Sequence, residues 1–172
     1  MKSGFWEVAV SDMRQLYQEV ILDHNRKPRN FGSILGANRH AEGHNPLCGD
    51  HIKLSMNVLE DKIETIAFEG EGCAICKASA SMMTGAVKGK SVQDAEIMVD
   101  EFRSMATGTF DPESAASHLG KLKVFAGVKD LPSRVKCAIL PWHTLHAALN
   151  TELSVSTEGE ADPVPGSLIG EE

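Results

Sequence analysis

Three cysteines and one aspartate hold most of the chemistry this chain can do. They lie in three segments: Asn45-Pro46-Leu47-Cys48-Gly49-Asp50, Gly70-Glu71-Gly72-Cys73-Ala74-Ile75-Cys76 and Arg134-Val135-Lys136-Cys137. Every cysteine of the chain falls in one of the three. Thiolates are the soft ligands that select zinc, copper(I) and iron–sulfur clusters. They are also the strong sulfur nucleophiles of proteins. The chemistry therefore turns on whether Cys48, Cys73 and Cys137 meet at one point.

Each segment has a local reason to present an activated sulfur. Cys48 and Asp50 flank Gly49, which lets the backbone bend so that thiolate and carboxylate face one ion. Cys73 stands where a glycine-flanked turn leads into a helix, and the unpaired N–H groups there favour a thiolate. Cys137 follows Arg134 and Lys136, cations that lower a thiol pKa. Three thiolates and one carboxylate make a tetrahedral zinc set, with the harder carboxylate as the ligand most readily released.

Spacing leaves a second reading open, in which these are buried core cysteines. Cys73 and Cys76 form a C-x-x-C pair, but the βαβ context and flanking aromatics of thioredoxin-like proteins are absent. Cys73 and Cys76 share a helix face, and Cys76 is expected in the core or behind the site. Among the seven histidines, His24, His44 and His51 lie near the motifs and His143 and His146 on the last expected helix. Any of them is an alternative fourth ligand to Asp50, although each is better read as a surface or packing residue.

The elements that must position these residues can be read from periodicity. Met13, Leu16, Tyr17, Val20 and Ile21 recur at helical spacing over Ser11 to His24, and Asn25-Arg26-Lys27-Pro28 stops that helix. The Gly- and Asn-rich stretch to Ala41 reads as loop. Ile52, Leu54, Met56 and Val58 alternate as a strand, and Glu60-Asp61 is a turn. Ile63, Ile66 and Phe68 form its antiparallel partner, although the alternation breaks near Thr65. Helices are expected over Cys73 to Lys88 and Val92 to Met105, with a short one over Glu113 to His118 before a loop. Ser133 reads as the N-cap of the helix carrying Cys137, which Pro141 should break or kink unless it opens a second piece. Met82 and Met83 are expected to pack against the sheet.

The 172 residues suffice for one domain with a real core, expected over residues 11–150 between a leader of 1–10 and a disordered acidic tail of 151–172. A net charge of −7 and the lack of a basic, aromatic-interleaved run argue against nucleic-acid binding. No apolar run reaches the length of a membrane span, and the first ten residues are too polar for a signal peptide. A cytoplasmic location follows as the expectation, where four cysteines point to metal or catalysis before disulfides.

Taken together, Leu16-Tyr17, Val20-Ile21-Leu22-Asp23-His24, Lys27-Pro28-Arg29-Asn30, the Cys48 and Cys73 motifs, and Ala78-Ser79-Ala80-Ser81-Met82-Met83 resemble the IscU/NifU N-terminal family of iron–sulfur assembly proteins. The resemblance runs from about Met13 to Leu149. It is nearest to the SufU branch on three features. The segment between Cys73 and Cys137 is longer than in IscU scaffolds. Lys136 stands where those scaffolds carry histidine. Leu131-Pro132-Ser133-Arg134-Val135-Lys136 replaces their Leu-Pro-Pro-Val-Lys chaperone motif. The resemblance implies an α+β fold of the SufE/NifU-like kind, a small three-stranded antiparallel sheet packed against several helices. Its third strand would come from about residues 36–45.

The resemblance also implies a zinc site of Cys48, Asp50, Cys73 and Cys137. The implied activity is sulfur transfer, with Cys48 accepting persulfide sulfur from a PLP-dependent cysteine desulfurase of the SufS type. The sulfur would then pass to a downstream Suf cluster scaffold, with Lys136 and Arg134 steadying the charge on it. The alternative is a scaffold that assembles a [2Fe–2S] cluster on the same ligands. A third reading is a structural zinc module that docks proteins. Cys76 departs from the branch, many of whose members carry serine there, and is a possible extra thiol for sulfur or iron.

Overall fold

The computed structural model describes residues 17–114, 116–151 and 153–157. The expected leader, the start of the helix expected from Ser11 and most of the expected tail lie outside the described residues. The elements run α1 (described over residues 17–26), β1 (Arg39–Asn45), β2 (Asp50–Leu59), β3 (Lys62–Glu71), α2 (Ala74–Val87), α3 (Val92–Thr107), a run of 3₁₀ turns (Gly120–Asp130), α4 (Pro132–Leu149) and β4 (Ser154–Ser156).

The sheet order is β3-β2-β1-β4. The first three strands are antiparallel, and β4 joins β1 in parallel. Beside the three strands expected there is thus a fourth, drawn from the segment read as tail. It forms because β1 has a free edge: the Glu42 N–H donates to Leu153 O at 2.9 Å and the Thr157 N–H to His44 O at 2.9 Å. The β2–β3 turn has positive φ at both Glu60 (52°) and Asp61 (62°), the mirror-type hairpin turn whose twist matches the strands. The register shifts between Asn57 and Val58, which explains the broken alternation near Thr65: the ladder carries a bulge there.

One face of the sheet is covered by helices. Ala41, Ile52, Leu54, Met56, Ile63, Ile66 and Phe68 point inward, and α4 lies on β1 and β2 while α2 lies on β3 and α4. Helix α2 is buried almost all round, so it is built of small residues with Met82 and Met83 filling the gaps. Helix α3 buries one stripe: Ala95, Met98, Val99, Phe102, Met105 and Ala106. Ser91 caps it by accepting the Asp94 N–H at 3.0 Å, and Gly108 closes it in the left-handed conformation. The described residues of 113–118 form turns, not the short helix expected, and the segment read as loop after them winds into 3₁₀ turns that bury Leu122, Phe125 and Val128.

Helix α4 differs from expectation at both proline and cap. Pro132 occupies its first turn and Leu131 is the N-cap, so Ser133 lies inside. The helix runs unbroken through Pro141. Proline removes one N–H and crowds the carbonyls of the preceding turn. Next to the proline, the Ser79 hydroxyl of α2 donates to Ala138 O at 2.6 Å and ties the two helices together. The indole N–H of Trp142 donates in turn to Ser79 Oγ at 3.2 Å.

Gly43 sets how closely β1 approaches α4. A Cβ there would overlap Thr144 Oγ1 and lie 3.0 Å from Leu140 Cδ1. Thr144 cannot turn aside freely, since its hydroxyl donates to Leu140 O at 2.8 Å. Gly43→Ala is therefore expected to cost about 1–3 kcal/mol of stability, read as a lower urea midpoint with unchanged slope.

Candidate metal centre

The three cysteine segments converge at one end of the sheet. The β1–β2 turn brings Asn45 opposite Asp50, with Cys48 at its tip. Gly49 has φ of +72°, so the turn needs its freedom from a side chain. The loop after β3 delivers Cys73, and α4 delivers Cys137 from its second turn.

Ligand atoms of Cys48, Asp50 and Cys137 all lie within 4.8 Å of one another. The Cys48 and Cys137 sulfurs are 3.6 Å apart and unbonded. Two sulfurs at Zn–S distances of about 2.3 Å on a tetrahedral ion lie about 3.8 Å apart, so the observed spacing fits a shared zinc. Asp50 is buried. Its Oδ1 accepts the Cys73 N–H at 2.9 Å, while its buried Oδ2 has no partner. A buried carboxylate oxygen without a donor is costly unless a cation satisfies it. The donor set therefore fits a bound metal.

Cys73 flanks this trio. It is the N-cap of α2, and its sulfur accepts the Cys76 N–H at 3.4 Å. Cys48 is exposed, Cys73 half-buried, and Cys76 and Cys137 fully buried. Burial raises the Cys137 thiol far above its ordinary pKa, reinforced by the neighbouring Cys73, Asp50 and Cys48. The expectation that neighbouring cations activate Cys137 is thus overturned: desolvation outweighs them. Arg134 is exposed and hydrogen-bonds the Cys137 sulfur, which raises the pKa of its guanidinium. Lys136 is exposed on α4. Burial also pushes the Cys76 thiol well up, with Asp50 and the other cysteines adding to it.

Asn45 had no assigned role in the sequence. It is buried, and its amide N–H points at the Cys137 sulfur at 3.9 Å. Its place three residues before Cys48 was visible, but its inward direction needed the strand pairing. Four of the five histidines considered as a fourth ligand go elsewhere. His24 hydrogen-bonds Ser81 Oγ at 2.7 Å and His146 pairs with Glu96 at 2.8 Å. His44 and His51 lie on the opposite face of the β1–β2 pair, beside Glu42.

The model of the NifU-like N terminal domain matches residues 16–138. The iron–sulfur cluster assembly scaffold protein IscU of Streptococcus pyogenes serotype M1 is 42% identical over 142 residues, 83% of this chain and 87% of the relative. The zinc-dependent sulfurtransferase SufU of Bacillus subtilis (strain 168) is 41% identical over 142 residues, 83% of this chain and 95% of the relative. A crystal structure from Fervidobacterium islandicum AW-1, described as a cluster assembly scaffold for the SUF system, superposes with a TM-score of 0.71. It is 39% identical and covers 76% of this chain and 94% of its own. Among the described residues no helix is long and apolar enough to cross a membrane.

Proposed function

This chain belongs to the NifU-like N-terminal domain family, and on that footing we propose that it works in iron–sulfur cluster assembly as a zinc-dependent sulfurtransferase, accepting sulfur on Cys48. The observation that carries the choice of residue is exposure: of the sulfurs at the site, Cys48 is the one at the open tip of a turn, while Cys137 is buried behind it. An acceptor must be reached by a second protein's persulfide, and access limits such exchange.

The proposed ligands are Cys48, Asp50, Cys73 and Cys137, with zinc supplying the positive charge that keeps buried sulfurs as thiolates at neutral pH. In the transfer, the Cys48 thiolate attacks the terminal sulfur of a persulfide on a cysteine desulfurase. The donor's S–S bond breaks, its cysteine leaves as thiolate, and a new S–S bond forms on Cys48. Arg134 stands beside the sulfurs to steady the charge on the moving atom, with Lys136 adding positive potential nearby. The proposed donor is a PLP-dependent enzyme of the SufS type. The proposed recipient is a downstream cluster scaffold, both in the cytoplasm.

Cys76 supports a second reading. A fourth thiol lies buried behind Cys73, and a [2Fe–2S] cluster is the substrate that would use a sulfur-rich set. Metal content after anaerobic purification, measured with desulfurase turnover, separates the two. One zinc per chain with a large rise in turnover is expected. Iron with acid-labile sulfide, and turnover unchanged, would establish the scaffold instead.

Asp50→Asn tests the ligand set. The substitution keeps the size but replaces a charged oxygen with a neutral amide beside the unpartnered position. Loss of a group that merely supports a ligand costs about 10–100-fold in metal affinity, and loss of the ligand charge is expected to cost at least as much. Competition against a chromophoric chelator reads the change directly.

A further inference from the structure

We propose that Glu42, His44 and His51 form a second site, on the open face of the sheet, for a divalent transition-metal ion. The strand register builds it. His44 and His51 are direct cross-strand partners, and Glu42 is two residues before His44, on the same face. Asn45 and Asp50 are the next pair and point the other way, so this cluster is separate from the cysteine centre.

The three side chains bring their ligand atoms together. Glu42 Oε2 lies 3.1 Å from His51 Nε2 and 3.9 Å from His44 Nε2. One ligand atom from each lies within 4.8 Å of the other two. The imidazole rings stack at 4.3 Å with 15° between planes. A surface Glu–His pair accounts for the His51 contact alone. It does not account for a second imidazole brought face to face with the first and turned to the same carboxylate oxygen. Two neutral imidazoles and a carboxylate with positions left for water suit iron(II), zinc or cobalt(II).

The surroundings favour a cation. Antiparallel partners share a face, so Glu71 opposite His51 and Glu69 opposite Lys53 also look outward. Three carboxylates, Glu42, Glu69 and Glu71, thus stand around one ammonium, Lys53. Glu42 and His44 are each nearly half exposed and His51 about one-third, so an ion reaches them from solvent. The site does not depend on the sulfur-transfer reading, and nothing in that reading requires it.

The test uses the full chain, first given one equivalent of zinc and then titrated with cobalt(II). The expected result is a second equivalent bound without thiolate-to-cobalt charge-transfer absorption, with the ring protons of His44 and His51 showing the largest paramagnetic shifts. His44→Gln and His51→Gln are each expected to weaken that second binding at least tenfold and the double variant to abolish it. His118→Gln, a change at another exposed histidine–glutamate pair, is expected to leave it unchanged. Matching thermal unfolding of the variants shows that the fold is kept. A total of one ion bound, a charge-transfer band on the second ion, or undiminished binding in the double variant would each overturn the site. Failure of the cysteine centre reads differently, as loss of the first equivalent of zinc in Cys48→Ser and Cys137→Ser with the histidine shifts on cobalt(II) retained.

Discussion

Cys48→Ser is expected to abolish persulfide formation on this chain and to remove its effect on a partner desulfurase. A hydroxyl is neither a thiolate nor able to hold a transferable sulfur, and removing a nucleophile costs about a hundredfold or more. The change is nearly isosteric at an exposed turn, so stability in the absence of metal should stay within about 0.5 kcal/mol. Activity and folding are thereby separated. Cys76→Ser provides the contrast: its thiol is buried and raised in pKa, so transfer to Cys48 should persist. Mass spectrometry of the intact chain after reaction with desulfurase and cysteine reads both. Persulfide retained on the Cys48→Ser chain would move the acceptor to another cysteine.

Trp142→Ala is expected to be the most damaging core substitution, at about 3–5 kcal/mol. Trp142 is fully buried, and its ring stacks on Phe102 at 4.6 Å, joining α4 to α3. Its N–H holds the Ser79 hydroxyl that serves the Ala138 carbonyl near Pro141. Loss of the indole leaves a cavity and loosens the brace across the proline turn together. Domains of this size hold about 5–15 kcal/mol in all, so urea unfolding should show a large fall in midpoint. Trp142→Phe keeps most of the packing and loses the hydrogen bond, and about 1–2 kcal/mol is expected. Cys137 lies one helical turn before Pro141, so weaker metal retention in Trp142→Ala at temperatures where it stays folded is the accompanying result.

Much of the fold was legible because its signals are local. Alternation marked β2 and β3, a 3.6-residue stripe marked α3, and the Gly-Glu-Gly turn marked the start of α2. What misled was also local. Arg39–Asn45 carries Gly43 and two histidines, so it reads as loop, yet it is held as a strand between β2 and β4 with Gly43 under α4. Pro141 reads as a break, yet α4 runs on through it, buried and packed against α2, α3 and the sheet. The hydrophobic 3₁₀ turns after Gly120 have no simple period, and their packing is mostly against α3 and α4.

The sequence by itself determined the chemical repertoire: three sulfur-bearing segments, a carboxylate two residues from one of them, a glycine to turn between, and an α+β frame. Residue type and short spacing decide those, because they are properties of neighbours along the chain. Tertiary structure alone decided which sulfur is reachable and which is buried, since the ranking of Cys48 over Cys137 depends on segments 89 residues apart. It also reversed the electrostatic expectation at Cys137, because burial acts through the whole surrounding volume while Arg134 and Lys136 act from a solvated surface. Strand register, which no local pattern encodes, paired Asn45 with Asp50 on one face of the hairpin and His44 with His51 on the other.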